Sequence, residues 1–319
     1  MSATCDIEFE NNPRKIIYAG QLLRGTVRLN LTENFNVRSV YVRIRGKAFA
    51  SWNSVETKVE VNEDYLDKKM YFVGSRESTS KINLEAGVHN YTFEFMLPSN
   101  VPSSIEGKYG QIKYTVGVVL DVPLWTNKVF KEPFTLMKAL NLNDYPSLRE
   151  PLIGEKIKGV YPFCFGFFCP KTITITARAP VGGFLPRQTV NLEIHVQNQS
   201  SVDVYKFTVE LIRLISYSRE YKYCGCKSNY GKKEEKCLFS KTIDGCSGKE
   251  EKMFHLDVDI PATPPTEIAW SKGITVTYLI RITAFMPGLY KNRSLYLPIT
   301  IGSYPFQDQT SHDDGVVQQ

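Results

Sequence analysis

Apolar residues in this chain recur at every second position, and no window of roughly 11–18 residues carries an apolar stripe at helical spacing. In VRSVYVRIRGKA (37–48), Val40, Val42 and Ile44 share one parity while Tyr41, Arg43, Arg45 and Lys47 share the other. Successive side chains of a strand point to opposite faces, so the basic set must project away from the aliphatic set. Comparable runs occur at TFEFML (92–97), IKYTVGVVLDV (112–122), TITITAR (172–178), TVNLEIHV (189–196), YKFTVELIRLISY (205–217), MFHLDVDI (253–260), ITVTYLIRITAF (274–285) and SLYLPITIG (294–302). Turn residues separate them: NNP at 11–13, EAG at 85–87, PSNVPSS at 98–104, ATPP at 262–265 and MPG at 286–288. Many short strands with frequent turn signals predict an all-β chain built as a sandwich or barrel.

A second feature divides the chain. GQLLRGTVRL (20–29) and GFLPRQTVNL (183–192) agree at six of ten positions. The 319 residues suit two domains of about 150 each, and the phrase recurs at about that spacing, which predicts a duplicated sandwich rather than a solenoid. The glycines opening the phrase, Gly20 and Gly183, are expected to supply a backbone angle that residues with a Cβ reach only at a cost. Arg24 and Arg187 read either as exposed edge charges or as pair partners fixing the turn. The polar stretch 139–159, with two prolines and no alternation, reads as the connector. The expected organisation is therefore two sandwiches over 1–145 and 146–303 with a short disordered tail over 304–319.

Charge and targeting narrow the function. Lys and Arg exceed Asp and Glu by 39 to 33. This small excess, with no basic run, does not mark a nucleic-acid binder but suits anionic membranes or phosphorylated partners if gathered on one face. The N-terminus lacks an apolar signal core, and the most apolar stretch (159–170) is too short to span a bilayer. The reading is a cytosolic protein with reduced cysteines and silent sequons at Asn30, Asn90, Asn198 and Asn292.

No catalytic motif is present: no G-x-S-x-G, no H-E-x-x-H, no P-loop and no G-x-G-x-x-G. The four histidines, His89, His195, His255 and His312, read as strand or tail positions, so no enzyme activity and no cofactor are expected. Cys224, Cys226, Cys237 and Cys246 crowd a lysine-rich segment. Four thiolates would suit tetrahedral zinc or a redox-labile disulfide, with Lys227, Lys232, Lys233 and Lys236 lowering thiol pKa values; the alternative is a solvated loop with free thiols. Cys164 and Cys169, in an aromatic run, read as packing residues. Arg14 and Lys15 are adjacent cations able to hold a phosphate through charge-assisted hydrogen bonds. Arg43, Arg45 and Lys47 form an anionic docking strip. For all five the alternative is an ordinary solvated face.

Several phrases together resemble the alpha-arrestin (arrestin-domain-containing) family. They are YAGQLLRGTVRL (18–29), VRSVYVRIRGKA (37–48) with Trp52 after it, and LEAGVHNYTFEFMLPSNVPSSIEGKYGQIKYTV (84–116), where Ile105 and Lys113 stand in place of the usual Phe and Arg. FCFGFFC (163–169), VQNQS (196–200), IPATPPT (260–266) and LPITIG (297–302) continue the likeness in order. The resemblance implies two tandem arrestin-like, immunoglobulin-like sandwiches. It implies a non-catalytic adaptor that binds cytoplasmic tails of membrane proteins and directs endocytosis or endosomal sorting, peripherally at the plasma membrane and endosomes. It also places Arg14 and Lys15 where arrestins meet phosphorylated tails. The family's PPxY motifs, which dock WW domains of HECT-type ubiquitin ligases, do not occur in this sequence. Ligase recruitment is then expected by another route or through a tailed arrestin relative. The alternative is a retromer-like sorting subunit with the same double-sandwich plan. A secreted adhesion sandwich and a cupin-like enzyme are disfavoured by the N-terminus and the lack of a histidine cluster.

Overall fold

A computed structural model describes residues 3–54, 57–160, 171–223, 226–267, 273–288 and 290–307, with only the backbone given at 160, 220–223 and 226–229. Cys164, Cys169 and the tail beyond 307 lie outside the described residues, as do the side chains of Cys224 and Cys226.

The described residues form strands and two single-turn 3-10 helices, Leu142–Asp144 and Pro146–Arg149. Eleven strands precede residue 138: β1 (Ala3–Phe9), β2 (Ile16–Tyr18), β3 (Leu22–Leu31), β4 (Phe35–Val37), β5 (Ser39–Asn53), β6 (Lys58–Val73), β7 (Ile82–Leu84), β8 (Gly87–Met96), β9 (Ile105–Glu106), β10 (Gly110–Asp121) and β11 (Lys128–Met137). One sheet runs β1-β3-β8; the other runs β2-β11-β10-β5-β6 with β9 on β10, and β4 pairs with β7. Alternation works as the sequence predicts: Val40, Val42 and Ile44 of β5 are fully buried while Arg43, Arg45 and Lys47 face outward. The sheets meet through aromatic rings. Phe9 of β1 packs on Phe134 of β11 at 6.0 Å and edge-on to Phe93 of β8 at 6.5 Å, and Tyr114 of β10 lies 5.8 Å from Phe134. Such pairs contribute beyond the area they bury.

Nine strands follow: β12 (Leu152–Val160), β13 (Lys171–Ala179), β14 (Gly183–Phe184), β15 (Thr189–Asn198), β16 (Val204–Tyr223), β17 (Cys226–Cys246), β18 (Glu251–Asp259), β19 (Ile274–Phe285) and β20 (Arg293–Ile301). They form sheets β12-β13-β15-β18 and β14-β20-β19-β16-β17. The core includes Val190, Leu192, Ile194 and Val196 from one sheet and Phe207, Val209, Ile280 and Ile282 from the other. One expectation needs correction here. Residues 152–160 are not connector but strand β12, paired with β13 along its whole length. As the outermost strand it has water on one side, so Ile153 and Ile157 are exposed and no clean alternation appears.

The two halves share a longer correspondence than the repeated phrase suggests, and a different one. In each, a short strand pairs in parallel with a late strand: Ile16 and Ile17 with Thr135 and Leu136, Gly183 and Phe184 with Thr300 and Ile301. In each, a turn follows. Gln21 donates its backbone N–H to the Tyr18 carbonyl (3.1 Å) and accepts the Tyr18 N–H on its side chain (3.3 Å); Gln188 does both with Leu185 (3.2 and 2.7 Å). The third turn residue is left-handed in both, Gly20 at φ 83° and Arg187 at φ 69°, as a type II turn requires. A strand of ten residues follows, β3 or β15. Structure thus pairs residue 16 with 183, a spacing of 167, whereas the matching letters pair 20 with 183. The four-residue slip is even, so buried parity is preserved and the letters still agree on what faces the core. Gly183 consequently does not play the part of Gly20. It lies in β14, where a Cβ would press on Leu142 and Phe306 at 3.0 Å. Nor do the arginines match: Arg24 pairs with Glu94 across the strands at 2.7 Å, while Arg187 shapes the turn.

A second shared device closes each half. Tyr114 and Tyr278, both buried, donate their hydroxyls to the Pro102 and Pro264 carbonyls at 2.7 Å. Two residues later, Ser104 and Leu136 exchange two hydrogen bonds (2.7 and 2.9 Å), and Thr266 and Ile301 exchange the same two (both 2.8 Å). The compact units do not follow the sandwich boundary, however. The first holds residues up to 138 together with 214–234 and 267–276, and the second holds the rest. Within the first unit, Tyr217 packs against Trp52 (6.3 Å) and Tyr109 (5.6 Å). Glu234 accepts from the Tyr217 hydroxyl (3.0 Å) and the Lys108 N–H (2.6 Å).

Candidate functional site

Arg14 and Lys15 sit on the crossover between β1 and β2. The Asn12 side chain holds that crossover, donating to the Ile16 carbonyl (2.7 Å) and accepting the Ile16 N–H (3.2 Å). Lys15 is left-handed, φ 53°, and its carbonyl accepts the Thr135 N–H at 2.8 Å. Its ammonium pairs with Glu132. Arg14 is exposed and makes no hydrogen bond or ion pair among the described residues. Both line an open cleft of about 500 Å³ that is completed by Ser104, Glu106, Gln111, Lys113 and Pro133, among others.

The strip on β5 reaches the same place. Lys47 stands directly opposite Lys113 of β10, so the strip and the cleft share an edge. In the next row Arg45 faces Asp67 and Thr115, and Thr115 faces Pro133 of the cleft. In the row beyond, Arg43 faces Lys69 on one side and Gly117 on the other, and Lys131 follows on β11. Paired residues of antiparallel strands project to the same face. These rows therefore gather Arg43, Arg45, Lys47, Lys69, Lys113 and Lys131 on one outer surface against only two carboxylates, Asp64 and Asp67. Asp67 grips Arg43 in a fork (2.7 and 2.5 Å). The Arg43 hydrogen bonds hold its carboxyl below the usual aspartate range. Asp64 serves both Lys47 (3.1 Å) and Arg45 (3.7 Å). Like charges directly opposite on neighbouring strands are destabilising, and Lys47 and Lys113 are so placed, with Asp64 pairing Lys47 and shared with Arg45.

Sequence reading found Arg14, Lys15, Arg43, Arg45 and Lys47 but not the residues that join them. Lys113 is the link, and Lys69 and Lys131 widen the surface. The signal for Lys113 was its parity in KYTVGVV, which places it on the face opposite Ile112 and Tyr114.

Two of the four clustered cysteines do not come together. Cys237 and Cys246 lie nine residues apart on the single strand β17, about 30 Å at ~3.3 Å per residue. That span forbids a shared metal, whose thiolate bonds are about 2.3 Å long, and equally a disulfide between them. Cys246 is buried, and burial pushes its thiol pKa up to about 11, the reverse of the lysine-activated thiol expected. Cys237 is exposed and free. Among the described residues no three His, Cys, Asp or Glu side chains are grouped to hold a metal ion. His195 bonds Glu251 on an open sheet face at 2.6 Å, a strand contact of the kind expected for it.

One buried acid went unread. Glu267 is 5% exposed. It accepts the Ser103 N–H on one oxygen (3.2 Å) and has no hydrogen bond to the other among the described residues. Burial raises its carboxyl pKa above the usual glutamate value.

Comparison with known proteins covers nearly the whole chain. A family model described as "Arrestin (or S-antigen), N-terminal domain" matches residues 5–143, and one described as "Arrestin (or S-antigen), C-terminal domain" matches residues 169–306. The chain is 24% identical over 291 residues to Arrestin domain-containing protein 1 of Homo sapiens, covering 91% of this chain and 62% of that protein. It is 25% identical over 312 residues to Arrestin domain-containing protein 17 of Caenorhabditis elegans (92% and 69%). With Arrestin domain-containing protein 4 of Homo sapiens it shares 23% over 330 residues (98% and 74%). The chain thus spans about three-fifths of the length of the first of these relatives.

Proposed function

The chain belongs to the arrestin-domain family, and on that footing we propose that it is a non-catalytic adaptor whose first sandwich holds acidic or phosphorylated cytoplasmic tails of membrane proteins. The observation that carries the reading is the continuity of the Arg14–Lys15 cleft with the six-cation sheet face through Lys113. A phosphate in the cleft would meet Arg14 as a planar donor fork and Lys15 and Lys113 as point charges. The rest of an extended tail would run over Lys47, Arg45 and Arg43, where flanking acidic side chains find counter-charges.

The second half sharpens the assignment. At the matching crossover, the carbonyl that accepts from Thr300 belongs to Gly182, as that of Lys15 accepts from Thr135. The residues corresponding to Arg14 and Lys15 are therefore Val181 and Gly182. The fold closes without cations there, so those in the first half are not needed for closure, Arg14 standing unpaired among the described residues and Lys15 beside Glu132.

Direction of endocytosis or endosomal sorting, residence at plasma membrane and endosomes, and contact with a HECT-type ligase belong to the same proposal. The two arrestin matches support it over the retromer-like alternative. A doubly phosphorylated serine peptide and its unphosphorylated twin, titrated against the chain by fluorescence anisotropy, test the reading. The phosphopeptide is expected to bind more tightly, with affinity falling as salt rises. Reversal of Arg14 and Lys15 to Glu should cost at least about tenfold at low salt. Equal binding of both peptides, or no effect of the reversal, overturns it.

A further inference from the structure

The outer face that carries the basic rows does not end with them. One row nearer the β10–β11 turn, the paired residues are Tyr71, Tyr41, Val119 and Val129, in order across four strands. Tyr41 and Val119 are buried in this row, Tyr41 with its ring 5.1 Å from the half-buried Tyr71, while Val129 is 44% exposed. Beyond this row the turn presents Leu124 at 94% exposure and Trp125 at 75%. Leu124 is held at φ 64°, a conformation that disfavours a branched apolar residue and suits Gly or Asn. The fold gains nothing from a leucine there, in water, in a strained backbone.

We propose that this turn is a membrane-insertion tip, Leu124 and Trp125 entering the headgroup region of an anionic bilayer. Rows on one face of a strand repeat every two residues, so they are spaced by about 7 Å. With Leu124 and Trp125 at the boundary of the acyl chains, the accessible members of the next row, Tyr71 and Val129, fall among the headgroups. The row of Arg43, Lys69 and Lys131 then falls at the lipid phosphates. That order follows the layers of a bilayer: apolar tip deepest, amphipathic aromatic rings at the interface, cations outermost. The charge near the tip is compatible. Arg38 and Asp121 cancel as a pair at 2.6 Å, leaving Lys69 and Lys131 on this face without an excess of acids to repel an anionic surface. A protein partner's apolar pocket would account for Leu124 and Trp125 but not for the graded rows behind them.

The inference rests on the membrane-proximal role proposed above, and separate variants distinguish the two. The chain holds three tryptophans, Trp52, Trp125 and Trp270, so flotation with phosphatidylcholine vesicles, with and without phosphatidylserine, can be combined with quenching by brominated acyl chains. The full chain is expected to float with the anionic vesicles and to lose tryptophan emission to the brominated lipid. Trp125→Phe should still float but lose the quenching. Leu124→Ser with Trp125→Ser should weaken vesicle binding roughly tenfold or more, with an unchanged circular-dichroism melt and unchanged phosphopeptide affinity. Arg14→Glu with Lys15→Glu should keep tip quenching while losing the phosphopeptide. Failure of the chain to float, quenching that survives Trp125→Phe, or equal flotation of the double serine variant overturns the proposal. So does a change from dimer to monomer in that variant without vesicle binding by the parent.

Discussion

The two sandwiches of this chain use one backbone plan with different side chains, and the positions where they differ separate what the fold requires from what it merely permits. The parallel pair, the glutamine-closed turn, the ten-residue strand, the buried tyrosine on a proline carbonyl and the serine or threonine clasp occur in both. These are solutions to problems any such sandwich faces: turning the chain and satisfying buried backbone groups. Arg14, Lys15 and the cationic rows occur in the first half, and Val181 and Gly182 stand at the matching crossover of the second. The cations at the crossover are therefore additions to a plan already complete.

The largest effect should come where corresponding core positions hold opposite residues. Gly25 and Leu192 match, yet a Cβ at Gly25 would run into the Glu8 carbonyl and the Phe93 ring, while Leu192 is buried. Leu192→Ala is expected to cost about 2–5 kcal/mol, and Gly25→Ala about 1–3 kcal/mol by overpacking, both read from urea unfolding. A stabilising Gly25→Ala would break the correspondence. The tyrosines come next. Tyr114→Phe and Tyr278→Phe should each lose about 1 kcal/mol. A clearly smaller loss in one half would mean that its proline carbonyl finds another donor.

Smaller still is the turn. Gly20→Ala should destabilise and Arg187→Gly should stabilise, each by up to about 1 kcal/mol; same-sign changes in melting temperature would deny that the turns are equivalent. The smallest effect concerns Glu267, which follows the clasp residue Thr266 where the first half has Ile105 after Ser104. Burial raises its folded-state pKa above an unfolded value of about 4.3. Stability is therefore full below that value and lost as pH rises through the raised pKa. Glu267→Gln, which can still accept from Ser103, should melt slightly higher than the parent at neutral pH, with the gap closing toward about pH 4. A gap that widens on acidification would reverse the sign and refute the assignment.

What could be read from the sequence followed solvent exposure. Alternation marked β5, β10, β13, β15, β16, β19 and β20, which have neighbours on both sides, and also β8 and β18 at sheet ends, where one face is still buried. It missed β1, β6, β12 and β17, sheet ends whose sequences do not alternate cleanly; β12 even leaves Ile153 and Ile157 exposed. The duplication was legible in the letters but at a spacing four residues short, since an even slip leaves burial parity intact and periodicity alone cannot detect it. At the candidate site, Arg14 and Arg43 were visible as charges. Their connection through Lys113 depended on cross-strand register, which no local pattern encodes. Cys237 and Cys246 misled for the same reason: crowding in sequence implies nearness in a loop, but an extended strand drives residues apart.

The inclusion of residues 214–234 and 267–276 in the first compact unit has a consequence for synthesis. A ribosome completes β11 at residue 137, yet Tyr217, which covers Trp52 and Tyr109, is made much later, and the unit is whole only after residue 276. At translation rates of roughly 5–20 residues per second this leaves an interval on the order of ten seconds. Through that interval the nascent first sandwich shows an uncovered tryptophan to solvent, a natural handhold for a chaperone and a reason not to express the half alone.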